Sequence, residues 1–147
     1  MRSAFQILAI PYQIIDGSLF YCVFHRADFN QWQFIAGGGE EGETPLEAAK
    51  RETFEESGAQ SDKWVELKSL SYIPAEVISE KHRKYWRKDT YVIPEYTFGF
   101  ECKDDIKLSR EHTEFVWLNY DEALKKLRWD SNRTALYELN CRLKVRQ

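Results

Sequence analysis

The sequence predicts an α/β sandwich, because segments typical of β-strands alternate with segments that carry helix start and stop signals. Two runs rich in aromatic and branched residues, Phe5 to Ile15 and Leu19 to His25, flank Asp16-Gly17, a pair that favours a hairpin turn. A helix with capping signals at both ends is predicted at Pro45 to Ser57, and a second amphipathic helix at Ser131 to Leu143.

The other elements follow from the same signals. The remaining predicted elements are, in chain order, a polar loop at Arg26 to Asn30, a short strand at Trp32 to Ala36, strands at Trp64 to Val77 and Tyr91 to Glu101, a short strand at Phe115 to Leu118 and a short helix at Tyr120 to Leu127. In the last helix, one face should dock on the domain at Ala135, Leu136, Leu139 and Leu143.

Length and composition limit the class of protein. The 147 residues fit one domain spanning residues 1–147, with 43% hydrophobic and 15% aromatic residues. A formal charge of −3 favours neither a nucleic-acid nor a membrane surface, so any attraction to a charged partner must be local. Three scattered cysteines predict free thiols and a reducing compartment, and no secretory or membrane-spanning run is evident. We therefore expect a cytoplasmic protein; the exposed aromatic residues leave a homodimer interface or a ligand pocket as alternatives.

The helix from Pro45 carries the densest chemistry. Thr44 and Glu47 form a capping box around Pro45. Glu52, Glu55 and Glu56 are spaced i, i+3, i+4, and therefore project from one face. Like charges at this spacing repel, and a divalent cation such as Mg²⁺ would offset that repulsion because it prefers carboxylate oxygens. The alternative is a solvated acidic face.

The residues around this helix favour the metal site. The glycine run Gly37 to Gly39 precedes the helix and lets backbone approach an ion or phosphate closely. Arg51 lies beside the acidic cluster, where it can pair with a carboxylate. The segment GGGEEGETPLEAAKRETFEESGA resembles the signature of the Nudix hydrolase family, also described as MutT-like. The fixed positions of that signature are all met, at Gly37, Glu43, Arg51, Glu52, Glu55, Glu56 and Gly58.

This resemblance implies a fold, a cofactor and a set of roles. The fold would be a Nudix α/β/α sandwich with a mixed sheet and a loop-helix-loop that binds Mg²⁺ or Mn²⁺. The implied metal ligands are Gly37, through its carbonyl, Glu52, Glu55 and Glu56, and one glutamate would act as the base. Supporting roles fall to Glu43 and Arg51. Thr53 and Ala59 replace the bulkier apolar residues usual in the family, which bears on packing more than on catalysis.

Weaker similarity over most of the chain points to a subgroup. The stretches around FHRADF, HRKYW and WDSNR resemble bacterial dihydroneopterin triphosphate pyrophosphohydrolases, also described as dATP pyrophosphohydrolases. By this resemblance Glu111 is a further metal ligand or base, with an exposed loop carboxylate as the alternative and Glu114 as the second candidate. His112 is interpreted as a loop histidine that bonds backbone or a nearby carboxylate.

A local basic and aromatic segment runs from Glu80 to Lys88. Its functional interpretation is a loop that meets a triphosphate and stacks on a base or pterin ring; its alternative is a solvated hairpin tip. The candidate substrate-binding residues are Arg26, Arg83, Trp86 and Arg87.

The sequence thus predicts a pyrophosphohydrolase of nucleoside or pterin triphosphates that releases pyrophosphate and a monophosphate. A dinucleoside polyphosphate hydrolase is the alternative within the family, supported by Glu111-His112 shortly before Trp117-Leu118. A non-catalytic nucleotide-binding module is disfavoured by the intact glutamates. An RNA 5′-end pyrophosphohydrolase would prefer a broader basic surface, so the expected partner is a small nucleotide or pterin triphosphate, with no nucleic acid and no membrane.

Overall fold

Seven strands in one mixed sheet carry helices on both faces in the computed structural model, which describes residues 1–146 and side chains as far as residue 144. The strands are β1 (Arg2–Ile15), β2 (Ser18–Arg26), β3 (Trp32–Gln33), β4 (Ile35–Glu40), β5 (Trp64–Pro74), β6 (Val92–Glu101) and β7 (His112–Leu118). The helices are α1 (Pro45–Ser57), α2 (Glu80–Arg83), α3 (Tyr120–Lys126) and α4 (Asp130–Arg146). The predicted α/β sandwich is confirmed.

The long strand β1 organises the sheet. It pairs antiparallel with β2 and β4 and parallel with β6, which in turn pairs antiparallel with β5. Strand β2 pairs antiparallel with β3 and β7. Strand β4 pairs with β1 alone, so the glycine run in β4 lies beside the start of β1 at an edge of the described sheet.

Alternation along β1 divides the core into two layers. Ile7 packs with Ala48 and Ala49 of α1, whereas Leu8 packs with Leu136 and Leu139 of α4. We call these two sides of the sheet the α1 face and the α4 face. The predicted docking face of the last helix is confirmed, since its four members are all buried: Ala135, Leu136, Leu139 and Leu143.

Several predicted boundaries were wrong. Strand β5 ends at Pro74 and a 3-10 turn occupies Ala75–Val77, where a continuous strand was predicted. The short strand predicted at Trp32 to Ala36 is two strands, of which β4 continues through the glycines to Glu40. Pairing with neighbouring strands decides these ends, and local composition does not report it. No helix in the described part of the chain is long and apolar enough to cross a membrane.

Candidate active site

Helix α1 has the boundaries that its capping signals predict. The Thr44 hydroxyl accepts a hydrogen bond from the Glu47 amide at 3.2 Å, and the Glu47 carboxylate accepts one from the Thr44 amide at 2.8 Å. At the other end Gly58 adopts a left-handed conformation, with φ of 74°, and its N–H donates to the Phe54 carbonyl. These local contacts fix the rotation of the helix and therefore the direction of its glutamates.

Arg51 ties the helix to the loop before it. Its guanidinium donates to both oxygens of Glu43, from Nε at 2.8 Å and Nη2 at 3.0 Å, and to the Gly38 carbonyl at 2.8 Å. It also donates to Glu52 at 3.0 Å and to Glu55 at 3.2 Å. The guanidinium keeps the pKa of Glu43 below its ordinary value. Arg51 thus sits at the centre of three carboxylates, a position suited to its expected supporting role.

The glycine run makes room for side chains on both faces of β4. A Cβ atom on Gly37 would lie 2.2 Å from the carboxyl carbon of Glu52, so only glycine admits Glu52 at this place. A Cβ on Gly38 would overlap the guanidinium of Arg2, and one on Gly39 would overlap the ring of Phe5. The run was expected to let backbone approach a ligand; in the structure it is covered by these three side chains.

Glu56 is the most buried of the helix glutamates. It is 3% exposed, and neither carboxylate oxygen has a hydrogen-bond partner among the described residues. The pKa of Glu56 is raised to about 11, chiefly by burial and in addition by the neighbouring carboxylates of Glu111 and Glu52. By contrast, the side chain of Glu55 is 55% exposed. The three glutamates share a face, as predicted, but they lie in different environments.

Glu111 reaches this cluster because its loop is fastened to the end of α1. The amides of Lys107 and Ser109 donate to the carbonyls of Ser57 and Glu56 at 2.8 and 3.2 Å. The Glu111 carbonyl accepts the Ala27 amide at 3.0 Å, which joins the loop to the end of β2. Glu114 instead lies in β7 opposite His25. The structure therefore brings Glu111 to Glu56, although Glu111 is also the exposed loop carboxylate of the alternative interpretation, and its role as a ligand or base stays a prediction.

The residues present suit a divalent cation. Two unpartnered carboxylate oxygens on Glu56, a second carboxylate on Glu111, and Glu52 held against Gly37 together offer the hard oxygen donors that Mg²⁺ and Mn²⁺ prefer. Within the side chains described, no three acidic, histidine or cysteine groups converge on one point. Glu52 and Glu55 are turned toward Arg51, so completing such a site requires rotation of these side chains away from it.

Glu52 is less buried than Glu56 and more buried than Glu55. Burial raises its pKa, while the hydrogen bond from Arg51 acts in the opposite direction. Repulsion from Glu55 and Glu111 adds to the effect of burial. Glu52 and Glu56 therefore hold their protons more tightly than ordinary carboxyl groups do, and a bound cation would take the place of those protons.

Arg26 borders the same cluster. Its guanidinium donates to both oxygens of Asp28, each at 2.8 Å, and lies 5.1 Å from the ring centroid of Phe29. The hydrogen bond to Asp28 raises the pKa of Arg26, and the Glu111 and Glu56 carboxylates act in the same direction. Arg26 is thus a permanent cation beside the acidic cluster. Part of its hydrogen-bonding capacity is used by Asp28.

The interpretation of His112 was wrong. His112 is the first residue of β7 rather than a loop residue, is 5% exposed, and neither ring nitrogen has a partner among the described residues. Its ring packs against Phe24 with centroids 5.2 Å apart. Burial lowers the pKa of His112, so an uncharged ring is favoured. The strand pairing of β7 with β2 begins earlier than the sequence indicated.

The basic segment is a helical turn followed by further turns. Trp86 donates its indole N–H to the Arg2 carbonyl at 2.9 Å, which fastens the segment to the start of β1. Arg83 donates from Nε to the Ile78 carbonyl at 2.6 Å. Arg87 is 85% exposed and pairs with Asp89 at 3.2 Å. Of the two charged candidates in this segment, Arg83 and Arg87, Arg87 has the more accessible charge.

The sequence reasoning missed two further charges, of which Arg2 is half-buried and Glu95 is buried. Arg2 lies over Gly38, and its Nε has no hydrogen-bond partner in the described part of the chain. Glu95 in β6 is 6% exposed, and one of its oxygens is likewise unpartnered. A signal for Glu95 was present, because it is a lone carboxylate between Ile93 and Thr97 in the alternating pattern of a buried strand. No pattern in the sequence indicates that Arg2 lies over the glycine run.

Comparison with known proteins identifies the family. The NUDIX domain family matches residues 14–139 of the chain. A solved structure from Listeria monocytogenes, described as a NUDIX hydrolase, is 42% identical, has a TM-score of 0.86, and the match covers 98% of this chain and 97% of that one. An RNA pyrophosphohydrolase from Caulobacter vibrioides is 34% identical over 120 residues, covering 74% of this chain and 67% of the relative.

Two further matches are named for other phosphoanhydride substrates. A bis(5'-nucleosyl)-tetraphosphatase (asymmetrical) from Sus scrofa is 31% identical over 116 residues, covering 74% of this chain and 69% of the relative. The structure of the E. coli dihydroneopterin triphosphate pyrophosphohydrolase has a TM-score of 0.70 at 22% identity, covering 95% of this chain and 97% of that one, and this likeness shows the fold alone.

The chain belongs to the Nudix family. It is a Nudix pyrophosphohydrolase, an enzyme of the class that hydrolyses acid anhydrides of phosphorus.

Proposed function

We propose that this enzyme uses Mg²⁺ or Mn²⁺ to hydrolyse a nucleoside or pterin triphosphate, releasing pyrophosphate and a monophosphate. The observation that carries the proposal is the buried carboxylate of Glu56, which faces the carboxylate of Glu111 and accepts no hydrogen bond from a nitrogen or hydroxyl donor among the described residues. Burying an ionised carboxylate without a partner is costly, so this arrangement is expected where a cation or a transferable proton is part of the function.

Each residue of the cluster has a role in this proposal. Glu52, Glu55, Glu56, Glu111 and the Gly37 carbonyl would hold the metal. When bound, the cation would neutralise charge on the phosphates and lower the pKa of a nucleophilic water. A glutamate of the same cluster would accept the proton of that water, and burial makes Glu56 a stronger base by raising its pKa. Glu43 would hold Arg51, which positions the helix.

Substrate binding is assigned to the cations around the cluster. Arg26 lies beside Glu111 and would reach a phosphate oxygen by exchanging one of its bonds to Asp28. Arg87 supplies an exposed charge, whereas Arg83 and Trp86 hold the basic segment through their contacts with Ile78 and Arg2. The structure therefore favours electrostatic attraction by Arg87 over direct stacking on Trp86.

Two other substrates are favoured by the relatives. A dinucleoside polyphosphate and the 5′-triphosphate end of RNA both contain the same phosphoanhydride, and relatives with these names are 31% and 34% identical. The basic segment would contact the additional phosphates of either substrate. The expectation that no nucleic acid binds stays a prediction, as do the cytoplasmic location and a homodimer; sedimentation of the purified protein would test the last of these.

Product analysis separates these substrates. The protein would be incubated with nucleoside triphosphates, dihydroneopterin triphosphate, a dinucleoside tetraphosphate and triphosphorylated RNA, each with and without Mg²⁺. Glu56→Gln is the inactivating variant, and Glu41→Gln, which changes an exposed glutamate in the loop before α1, is the matched control.

We expect pyrophosphate and a monophosphate from a small triphosphate, in a reaction that requires Mg²⁺ and is lost in Glu56→Gln but kept in Glu41→Gln. Mono- and triphosphate products from the dinucleotide, or faster pyrophosphate release from RNA, would replace the proposed substrate. Absence of metal-dependent turnover on every substrate would refute the proposal.

A further inference from the structure

Glu95 is a buried carboxylate outside the metal cluster. It is 6% exposed, and its Oε1 atom has no hydrogen-bond partner among the described residues. The nearby Ser131 hydroxyl at the start of α4 lowers its pKa, whereas burial has the larger effect and raises it. A buried acceptor left without a donor costs free energy, so its presence calls for an explanation.

Glu95 belongs to a row of polar residues on the α4 face. Phe98 packs against α1, so Thr97 and Glu95, which alternate with it, point to the α4 face. The Cα partner of Glu95 in β1 is Gln6, and its partner in β5 is Ser71. Gln6 and Ser71 are only partly buried, as is Ser131. Glu95 is therefore flanked by short or flexible polar side chains rather than sealed by the apolar core.

The row ends at β4, the edge strand whose other face carries Glu52 of the metal cluster. Gln6 pairs with Gly38 of β4, and the Arg2 guanidinium lies over Gly38 while it donates to the Gln6 side chain at 2.6 Å. The next residue, Gly37, holds Glu52 against the opposite face. Neighbouring strands are about 4.8 Å apart, so Gly38 and Glu95, two strands apart, are separated by about 10 Å. That span suits a ligand whose phosphates lie near Arg2 and whose ring lies near Glu95.

We propose that Glu95 accepts hydrogen bonds from the N–H edge of the substrate's heterocycle, and that it selects rings with a 2-amino-4-oxo edge, namely guanine or a pterin. The proposal rests on the proposed function and specifies its substrate class. Guanine and pterin rings place a ring N–H beside an exocyclic amino group, two donors that match the two oxygens of one carboxylate. Adenine places a ring acceptor beside its amino group, which a carboxylate repels.

Arg2 and Gln6 complete the geometry at the other end. Arg2 has an unpartnered Nε, and its remaining bond to Gln6 orients the guanidinium along the row. A phosphate oxygen near Gly38 would satisfy this donor, since guanidinium groups bind phosphate strongly. The ligand would thus satisfy an unpartnered donor at one end of the row and an unpartnered acceptor at the other.

The test compares base preference in wild type and Glu95→Gln. A glutamine amide presents one acceptor and one donor, the pattern that matches adenine, so the substitution should exchange the preference while keeping the side-chain shape. Glu101→Gln, at the far end of the same strand, is the matched control. The measurement is kcat/KM with GTP, dihydroneopterin triphosphate and ATP, with thermal melting of each variant to confirm folding.

Wild type should prefer GTP or the pterin to ATP, and Glu95→Gln should lower that ratio by about 10- to 100-fold, while Glu101→Gln leaves it unchanged. A wild-type preference for ATP, or an equal ratio in wild type and folded Glu95→Gln, would overturn the assignment of Glu95 without affecting the hydrolase. If the wild-type protein turned over none of these substrates, the proposed function would instead be refuted.

Should Glu95→Gln fail to fold, the wild-type protein still provides the test. Melting with guanosine or adenosine diphosphate should show a larger rise of Tm with the guanosine compound. An equal or smaller rise would contradict the selection of the 2-amino-4-oxo edge.

Discussion

The buried carboxylate of Glu56 predicts an unusual dependence of stability on pH. Its pKa is raised from 4.5 to about 11, first by burial and then by Glu111 and Glu52. Between these two values the folded chain holds a proton that the unfolded chain has released. Stability is therefore greatest below pH 4.5, as far as this group is concerned, and it is lost as pH rises toward 11.

The size of the effect follows from the same shift. Each pH unit corresponds to about 1.4 kcal/mol for one proton, so by pH 7 the loss from Glu56 is about 3 kcal/mol. The Glu56→Gln substitution keeps the shape and removes the titration. We expect the free energy of unfolding of wild type without metal to fall between pH 5 and pH 8, and the variant to lose most of this slope and become the more stable protein at pH 8.

The assay is urea denaturation followed by tryptophan fluorescence, at several pH values and in the presence of a chelator. Glu55→Gln is the matched control, because Glu55 lies on the same helix face with 55% of its side chain exposed, and it should keep the wild-type slope. Adding Mg²⁺ at pH 8 should stabilise wild type and not Glu56→Gln. If the free energy of unfolding depended on pH equally in wild type and Glu56→Gln, the reasoning that buried Glu56 needs either a proton or a cation would be refuted.

Three further predictions concern the neighbours of this group. Gly37→Ala places a Cβ 2.2 Å from the carboxyl carbon of Glu52, so the displaced carboxylate should lower kcat about 100-fold with little change in far-ultraviolet circular dichroism; unaltered kcat would remove Glu52 from the site. Arg51→Lys loses the paired bonds to Glu43, and urea titration should show a loss of about 1–3 kcal/mol; a smaller loss would mean that the pairing is dispensable. Arg87→Glu should raise KM for a triphosphate about 5-fold at low salt, equivalent to about 1 kcal/mol, and less at high salt; a salt-independent or absent change would exclude the segment from binding.

The sequence predicted the helix of the site better than the environment of its glutamates. Helix α1 is specified by contacts within itself, such as those of Thr44, Glu47 and Gly58. Its boundaries can therefore be predicted from the local sequence. The difference between exposed Glu55 and buried Glu56 depends on the loop that carries Glu111, far along the chain. Spacing on a helix gives the direction of a side chain, but not what packs against it.

The polar row of Arg2, Gln6 and Glu95 is a second feature that the sequence did not predict. Arg2 and Glu95 are 93 positions apart in the numbering and come into one row only because β1 lies between β4 and β6. Strand register is set by pairing across the sheet, which no short motif records. A motif search therefore finds the residues of the acidic cluster and passes over the charges that lie on the opposite face.

The glycine run connects these two sets of residues. Gly37 opens the α1 face of β4 to Glu52, and its neighbour Gly38 opens the α4 face to Arg2. A side chain at either position would exclude one partner and leave the other in place. Substitution of Gly37 should consequently impair the chemical step through Glu52, whereas substitution of Gly38 should displace Arg2 and impair binding along the row to Glu95. If both substitutions instead produced the same loss of kcat with unchanged KM, the assignment of catalysis to the α1 face of β4 and of binding to its α4 face would be refuted.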